Sequence, residues 1–384
     1  MDKEGIILKT DPFKEYIIQT EPSKRDKGYA WQTAIGLQAV DGLKPSEYLI
    51  ATAINNIEGR IDMDEAQQLL DQYYRENPAL QEDDRTEEAD KVSARIAKLL
   101  SEKAFSFTPN QYLAIHKGLF SGIYKHAGQI RTYNITKKEW VLDGATVLYG
   151  PASELRAALE YDLSQEKSFS YRGLSMDETV HHLAVFVSRL WQIHVFAEGN
   201  TRTTAVFFIK YLRTLGFDVT NDIFAENAWY FRNALVRANY SDLKNGIHET
   251  TEFLELFLRN LLLGEKNALH NREMHISGKF GSNKKQDIEP EKQDIGHEEQ
   301  DIHISTIYAG CVEGLSNKTI KNIEKVYGKL LGKEYFGRTD IVNILGITPS
   351  PASELIKKML ERQIICTVEG HGKGKYRFCD TGKN

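Results

Sequence analysis

The chain has 384 residues, 41% of them hydrophobic, enough for two domains of ordinary size and at least one sizeable core. Cys311, Cys366 and Cys379 are far apart and form no CxxC or metal-ligand spacing, which excludes a disulfide framework or zinc site and fits a reducing cytoplasm. The formal charge of −5 conceals a basic end: residues 318–384 hold 13 Lys and Arg against 7 Asp and Glu, so this part is expected to meet a different partner from the rest.

Residues 1–45 read as an N-terminal segment, and MDKEGIILKT has no apolar signal core. From 46 to 264 apolar residues recur at helical spacing. In the run 179–191, for example, Val180, Leu183, Ala184, Val187 and Trp191 share one face. Helices are expected near 46–58, 63–75, 85–103, 109–121, 151–165, 176–193, 201–215, 226–240 and 249–263, several ending near glycine as at Gly216 and Gly264. The most hydrophobic of these, Phe253 to Leu263, is interrupted by Glu255 and Arg259, so no membrane span is expected.

One segment departs from this periodicity. Residues 139–149 flank Asp143-Gly144 with β-branched and aromatic residues, which predicts an isolated β-hairpin on a mainly α body. Residues 265–315 are polar and repeat Gln-Asp-Ile every seven residues; one apolar position per unit is too few for a coiled coil, so a solvated linker is expected. Beyond it, helices near 318–331, 338–345 and 351–362 and a ribbon over 364–378 give the order of a winged helix-turn-helix domain spanning 316–384. Ser353, Lys357 and Lys358 are placed on the exposed face of its recognition helix, with Lys373 and Lys375 on the wing, a surface suited to DNA or protein.

The stretch 192–205, QIHVFAEGNTRTTA, sets polar chemistry between two core-patterned helices. At its end the free N–H groups of a helix N-terminus favour bound phosphate. Gly199 permits close backbone approach, Asn200 can donate through its amide and Arg202 adds a charged fork. Glu198 makes sense beside phosphate once a divalent ion joins it, because Mg²⁺ binds one or two carboxylates together with phosphate oxygens. His194 can take a proton from a hydroxyl near neutral pH. Taken singly, each residue has a structural reading, such as Glu198 serving as a helix-start carboxylate; the ordered combination carries the argument.

The segment His194-x-Phe196-x-Glu198-Gly199-Asn200-Thr201-Arg202 resembles the active-site loop of the Fic family, HxFx(D/E)GNGRxxR, and the resemblance covers roughly residues 28–263. It implies a helical domain with a small β-hairpin flap and transfer of AMP from ATP to a hydroxyl of a protein target or of the chain itself. It further implies His194 as base, Glu198 as Mg²⁺ ligand, Gly199, Asn200, Thr201 and Arg202 as phosphate ligands, and Phe196 as the anchor of the loop. Phe231 and Asn239 resemble adenine-pocket positions, and Trp140, Val141 and Leu142 fall in the flap that docks targets.

Two positions depart from the pattern. Thr201 replaces a glycine, so an ordinary helix-start conformation is expected there. Ala205 replaces the last arginine, which leaves the triphosphate pose and ATP preference open. Residues 52–59 resemble the inhibitory helix (S/T)xxxE(G/N), with Glu58-Gly59 matching and Ile54 at the Ser/Thr position, so Glu58 is the expected brake. Its structural alternative is a carboxylate ahead of a glycine cap. Other activities stay open beside AMP transfer: phosphoryl transfer or AMP removal on the same loop, and a DNA-binding regulator whose helical domain senses nucleotide.

Overall fold

The computed structural model describes residue 13 and residues 22–77, 85–219, 223–278, 317–330, 335–368 and 374–379. The chain divides into one unit of residues 1–131 and 138–293 and another of residues 132–137 and 294–384. No helix among the described residues is long and apolar enough to cross a membrane.

The larger unit is helical: α1 Pro22–Gly36, α2 Glu47–Ile57, α3 Met63–Glu76, α4 Thr86–Ser101, α5 Pro109–Phe120, α6 Leu155–Ser168, α7 Met176–Ile193, α8 Asn200–Thr214, α9 Ile223–Arg237, α10 Glu252–Leu263 and the short α11 Asn271–Met274. Local chemistry sets most of these starts. Ser46 and Thr108 cap α2 and α5, the latter with Pro109 in its first turn, while Asp62 with Glu65 and Ser175 with Glu178 form capping boxes ahead of α3 and α7. Helix α8 is buried on every side from Asn200 to Leu212, so it is the central rod on which the others pack. Its one lysine, Lys210, is satisfied there by the carbonyls of Leu99 and Glu102 at 2.7 Å, at the C-terminal end of α4 where a cation is favoured.

Three expectations are corrected. The N-terminal segment contains α1 and a 3-10 turn, Leu37–Asp41, that close over the core through Trp31, Leu37 and Val40. The expected β-hairpin is a 3-10 turn, Trp140–Leu142, followed by an extended run without a ladder: Glu139 N–H donates to Ala145 O, but Leu142, Asp143 and Ala145 bond locally. Val141 and Leu142 turn inward and are buried, which costs them strand pairing but gains core contact. The expected linker begins later than residue 265: Met274 is buried, Asn271 accepts from Asn233 at 2.8 Å, and Ile276 N–H donates to Val141 O. The three Gln-Asp-Ile repeats lie outside the described residues.

The smaller unit contains α12 Asn317–Leu330, β1 Phe336–Gly337, α13 Arg338–Leu345, α14 Pro349–Glu361, β2 Ile365–Thr367 and β3 Lys375–Phe378. The sheet is antiparallel in the order β1-β3-β2, and its core gathers Ile323, Val326, Phe336, Ile341, Met359 and Ile365. This is the expected element order, with β1 added. Lys357 and Lys358 on α14 each face a glutamate one turn away, Glu361 and Glu354, and Ser353 donates to Pro349 O within its own helix. Lys373 lies outside the described residues.

Candidate active site

Helix α7 ends and α8 begins within six residues, and His194 makes the bend possible. It caps α7 in the left-handed region at φ 51°, ψ 58°, a conformation that histidine adopts more readily than most residues. Arg131 Nε donates to the His194 carbonyl at 2.7 Å and Arg131 Nη2 to Gly150 O at 2.5 Å, which ties the bend to the extended run 145–150. The imidazole lies against Tyr149, centroid to centroid 4.2 Å, and is T-shaped to Trp191 with centroids 5.3 Å apart. Tyr149 donates to Glu139 Oε1 at 2.9 Å, and Glu139 Oε2 pairs with Arg232 at 2.6 Å. Burial, followed by the neighbouring Glu139 charge, raises the Tyr149 hydroxyl well above its ordinary pKa, so it stays protonated and donates.

Phe196 anchors the loop as expected, fully buried with His116 stacked on it at 3.7 Å. His116 also fixes the backbone: its Nε2 bonds Glu198 O at 2.9 Å while Gly128 N–H donates to its Nδ1 at 2.8 Å, a pair of bonds that demands the neutral ring with its proton on Nε2. Desolvation lowers its pKa from 6.5 to about 3. Because the unfolded chain then binds the extra proton, stability is fully present above about pH 6.5 and is lost as pH falls towards about 3. Going from pH 7 to pH 5 should cost up to ~2 kcal/mol in urea unfolding, and His116→Gln should remove that pH dependence.

The motif residues have unexpected partners. Asn200 does not point at a ligand: its Oδ1 accepts from Phe196 N–H at 2.9 Å and its Nδ2 donates to Phe196 O at 2.8 Å, closing the loop on itself. Gly199, at φ 74°, is needed because an added Cβ would stand 2.4 Å from the Phe120 ring. Thr201 has the ordinary helical backbone expected of it and accepts from Trp191 Nε1 at 3.0 Å. The first amides of α8 have no partner within the helix by its geometry, yet Asn200 and Thr201 are themselves nearly enclosed. Glu198 is half-exposed at the rim.

Arg202 is the largest correction. Its guanidinium is fully buried over the Phe120 ring and held by Glu88 at 2.6 Å, Asp41 at 2.8 Å, Gln38 at 2.9 Å and Tyr124 at 3.2 Å. Burial opposes its charge, but Asp41, Tyr124 and Glu88 outweigh that and raise its pKa. In this state the arginine is committed to protein carboxylates. Ala205 is buried without polar chemistry.

Glu58 caps α2 and meets Lys24 at 3.4 Å; the carboxylates on the motif arginine are Glu88 and Asp41. The acidic-glycine pair sought at Glu58-Gly59 recurs at Asp41-Gly42, where Gly42 takes φ 67° at the end of the 3-10 turn. That dipeptide is the signal for Asp41 in the sequence, and it lies in the N-terminal segment where the periodicity predicts no helix. Phe231 packs between Phe224 and Phe257 in the core, so its ring walls no open pocket. Asn239 Nδ2 donates to Ser188 O at 3.1 Å and Leu235 O at 2.9 Å, joining α9 to α7. Of the expected docking residues, Trp140 is half-exposed and packs beside His275, while Val141 and Leu142 are buried; Leu148, 84% exposed, is the apolar side chain that the run 145–150 presents outward.

Residues 106–212, which hold this loop, match the model of the Fic/DOC family. The chain is 30% identical over 110 residues to the protein adenylyltransferase VbhT of Bartonella schoenbuchensis, a match covering 28% of this chain and 21% of that protein. The matched stretch thus spans about a fifth of the length of that relative. A Fic family protein from Desulfovibrio desulfuricans, known from its crystal structure, aligns over 97% of this chain and 95% of its own at 12% identity with a TM-score of 0.39. The motif on the α7–α8 bend thus lies within a stretch that matches the Fic/DOC family.

Proposed function

We propose that the protein is an adenylyltransferase that transfers AMP from ATP to a hydroxyl of a protein target or of itself. The observation that carries this reading is the bend itself: a histidine side chain and the first amides of α8 are held in one clamped turn by His116, Asn200 and Arg131. The target oxygen attacks the α-phosphorus, its proton passes to His194, and the bond to pyrophosphate breaks. The amides of Gly199 to Thr201 receive the phosphate oxygens.

No group of three or more His, Cys, Asp or Glu among the described residues could enclose a metal. A single half-exposed carboxylate, Glu198, still fits Mg²⁺, which keeps several waters and shares phosphate oxygens. When bound there, the ion would neutralise charge on the phosphates. A target strand would lie along residues 145–149, whose Leu148 faces outward. Incubation with ATP labelled at the α- or γ-phosphate tests the reading. Label from the α-position alone on protein supports it, and label from the γ-position replaces it with phosphoryl transfer.

The enclosed amides and the caged Arg202 describe a restrained state, with Asp41 and Glu88 in the role assigned to Glu58 by sequence. Removing Asp41 leaves Glu88 shared between Arg202 and Arg85, so Arg202 is held by one charged bond fewer, a difference of ~1.5–3 kcal/mol. Asp41→Ala should therefore raise self-modification roughly tenfold, whereas Glu58→Gly, whose carboxylate meets Lys24, should leave it unchanged. Equal responses of the two variants in the α-label assay would reject this assignment.

A further inference from the structure

A buried network stands behind the His194 ring that the transfer reaction does not use directly. Glu139, wholly buried, opens the 3-10 turn and Tyr149 closes the extended run after it, so the bond between their side chains staples the two ends of this segment together. Arg232 of α9 holds the other oxygen of Glu139 at 2.6 Å. The segment is also sewn to the end of α7: Gln192 donates to Leu148 O at 3.1 Å, and Gly150 N–H donates to Gln192 O at 3.3 Å. The phenol is therefore fixed from both ends, and its ring lies against the imidazole, tilted by 42° with centroids 4.2 Å apart. Beside it Trp191, also in edge contact with Tyr149, is fixed by its own bond to Thr201.

The terminal torsion of a histidine is broad, with no deep staggered well to hold the ring. A base that must meet a hydroxyl in one orientation needs its rotation stopped by neighbours, and a small misplacement costs ~10²-fold. An apolar side chain at 149 would fill the same space, but only a phenol bonded to a carboxylate, itself paired with an arginine, has its long axis pinned at the far end as well as at the backbone. We propose that Tyr149, oriented by Glu139 and Arg232, is a positioning residue that sets the His194 imidazole in the orientation in which it accepts the target's proton. Because the same staple shapes the run carrying Leu148, a target lying on that run is registered against the base through one side chain. This inference rests on the reading of His194 as the base.

The test is the steady-state kinetics of self-modification with α-labelled ATP for wild type, Tyr149→Phe, Tyr149→Leu, His194→Ala and the Tyr149→Leu/His194→Ala double variant, with thermal unfolding of each. Tyr149→Phe keeps the ring and loses its tether, and should lower kcat ~5-fold with KM for ATP unchanged; Tyr149→Leu should lower kcat roughly 50-fold. In the double variant the loss should equal that of His194→Ala alone, because Tyr149 acts only through that ring. Wild-type kcat in Tyr149→Phe, or losses that add in the double variant, would overturn the proposal while leaving the base intact. Wild-type transfer by His194→Ala would instead overturn the base reading itself. Should Tyr149→Leu fail to fold, the isosteric Tyr149→Phe decides through its kcat and KM.

Discussion

Substitution of His194 by alanine is expected to reduce AMP transfer by ~10²-fold or more while leaving nucleotide binding near the wild-type level. In the proposed reaction the imidazole would act on the incoming hydroxyl, whereas the backbone of Gly199 to Thr201, and Glu198 through Mg²⁺, would hold the phosphates. The fold should tolerate the change in one respect and resist it in another. Alanine removes the ring packed on Tyr149 and Trp191, but the bend is held chiefly by backbone bonds, Arg131 to His194 O and Phe196 to Asn200. Alanine at φ 51° is less comfortable than histidine, so a modest stability loss of ~1 kcal/mol should accompany the kinetic one. Thermal-shift titration with ATP and Mg²⁺, run beside the α-label assay, separates the two effects. Loss of binding together with transfer would make His194 a structural residue.

Arg202→Ala is expected to destabilise the domain by ~1–3 kcal/mol, because Glu88 keeps Arg85 at 2.8 Å but Glu88 and Asp41 lose the buried cation they share. Replacing the buried charges together, Arg202→Met with Glu88→Leu and Asp41→Asn, should recover much of that loss, since neutral groups of similar volume remove the desolvation cost along with the attraction and the more exposed Arg85 can turn to water. Urea unfolding of the two variants measures both effects. A phosphate ligand that faced the nucleotide in the resting protein would give the opposite pattern: stability near wild type for Arg202→Ala, with ATP binding lost. The cage around Arg202 thus makes this arginine a structural pin in the resting protein.

Helix ends and the position of the loop were legible in the sequence because their determinants lie within four residues of one another. Ser175 with Glu178 starts α7, Thr108 with Pro109 starts α5, and Gly264 ends α10 in the left-handed region. The motif was legible for the same reason: nine consecutive residues carry it. Residues 139–149 misled because Asp143 and Gly144 do take positive φ, as a tight hairpin would require, while Val141 and Leu142 prefer burial to a ladder. That preference depends on what packs above them, which no local pattern reveals.

The partners of each functional side chain were decided only by tertiary structure. Arg202 finds Glu88 114 residues away and Gln38 164 residues away; Tyr149 reaches Arg232 through Glu139. Phe231 is core because α10 places Phe257 against it, and Asn239 is a tie between helices because Ser188 O stands opposite. The sequence by itself determined which residues carry charge, protons and bends, since these are properties of single side chains and short spacings. Whether a charge faces a ligand or another charge is set by the packing of α1, the 3-10 turn and α4 around α8, because a buried guanidinium takes whichever carboxylates desolvation has left beside it.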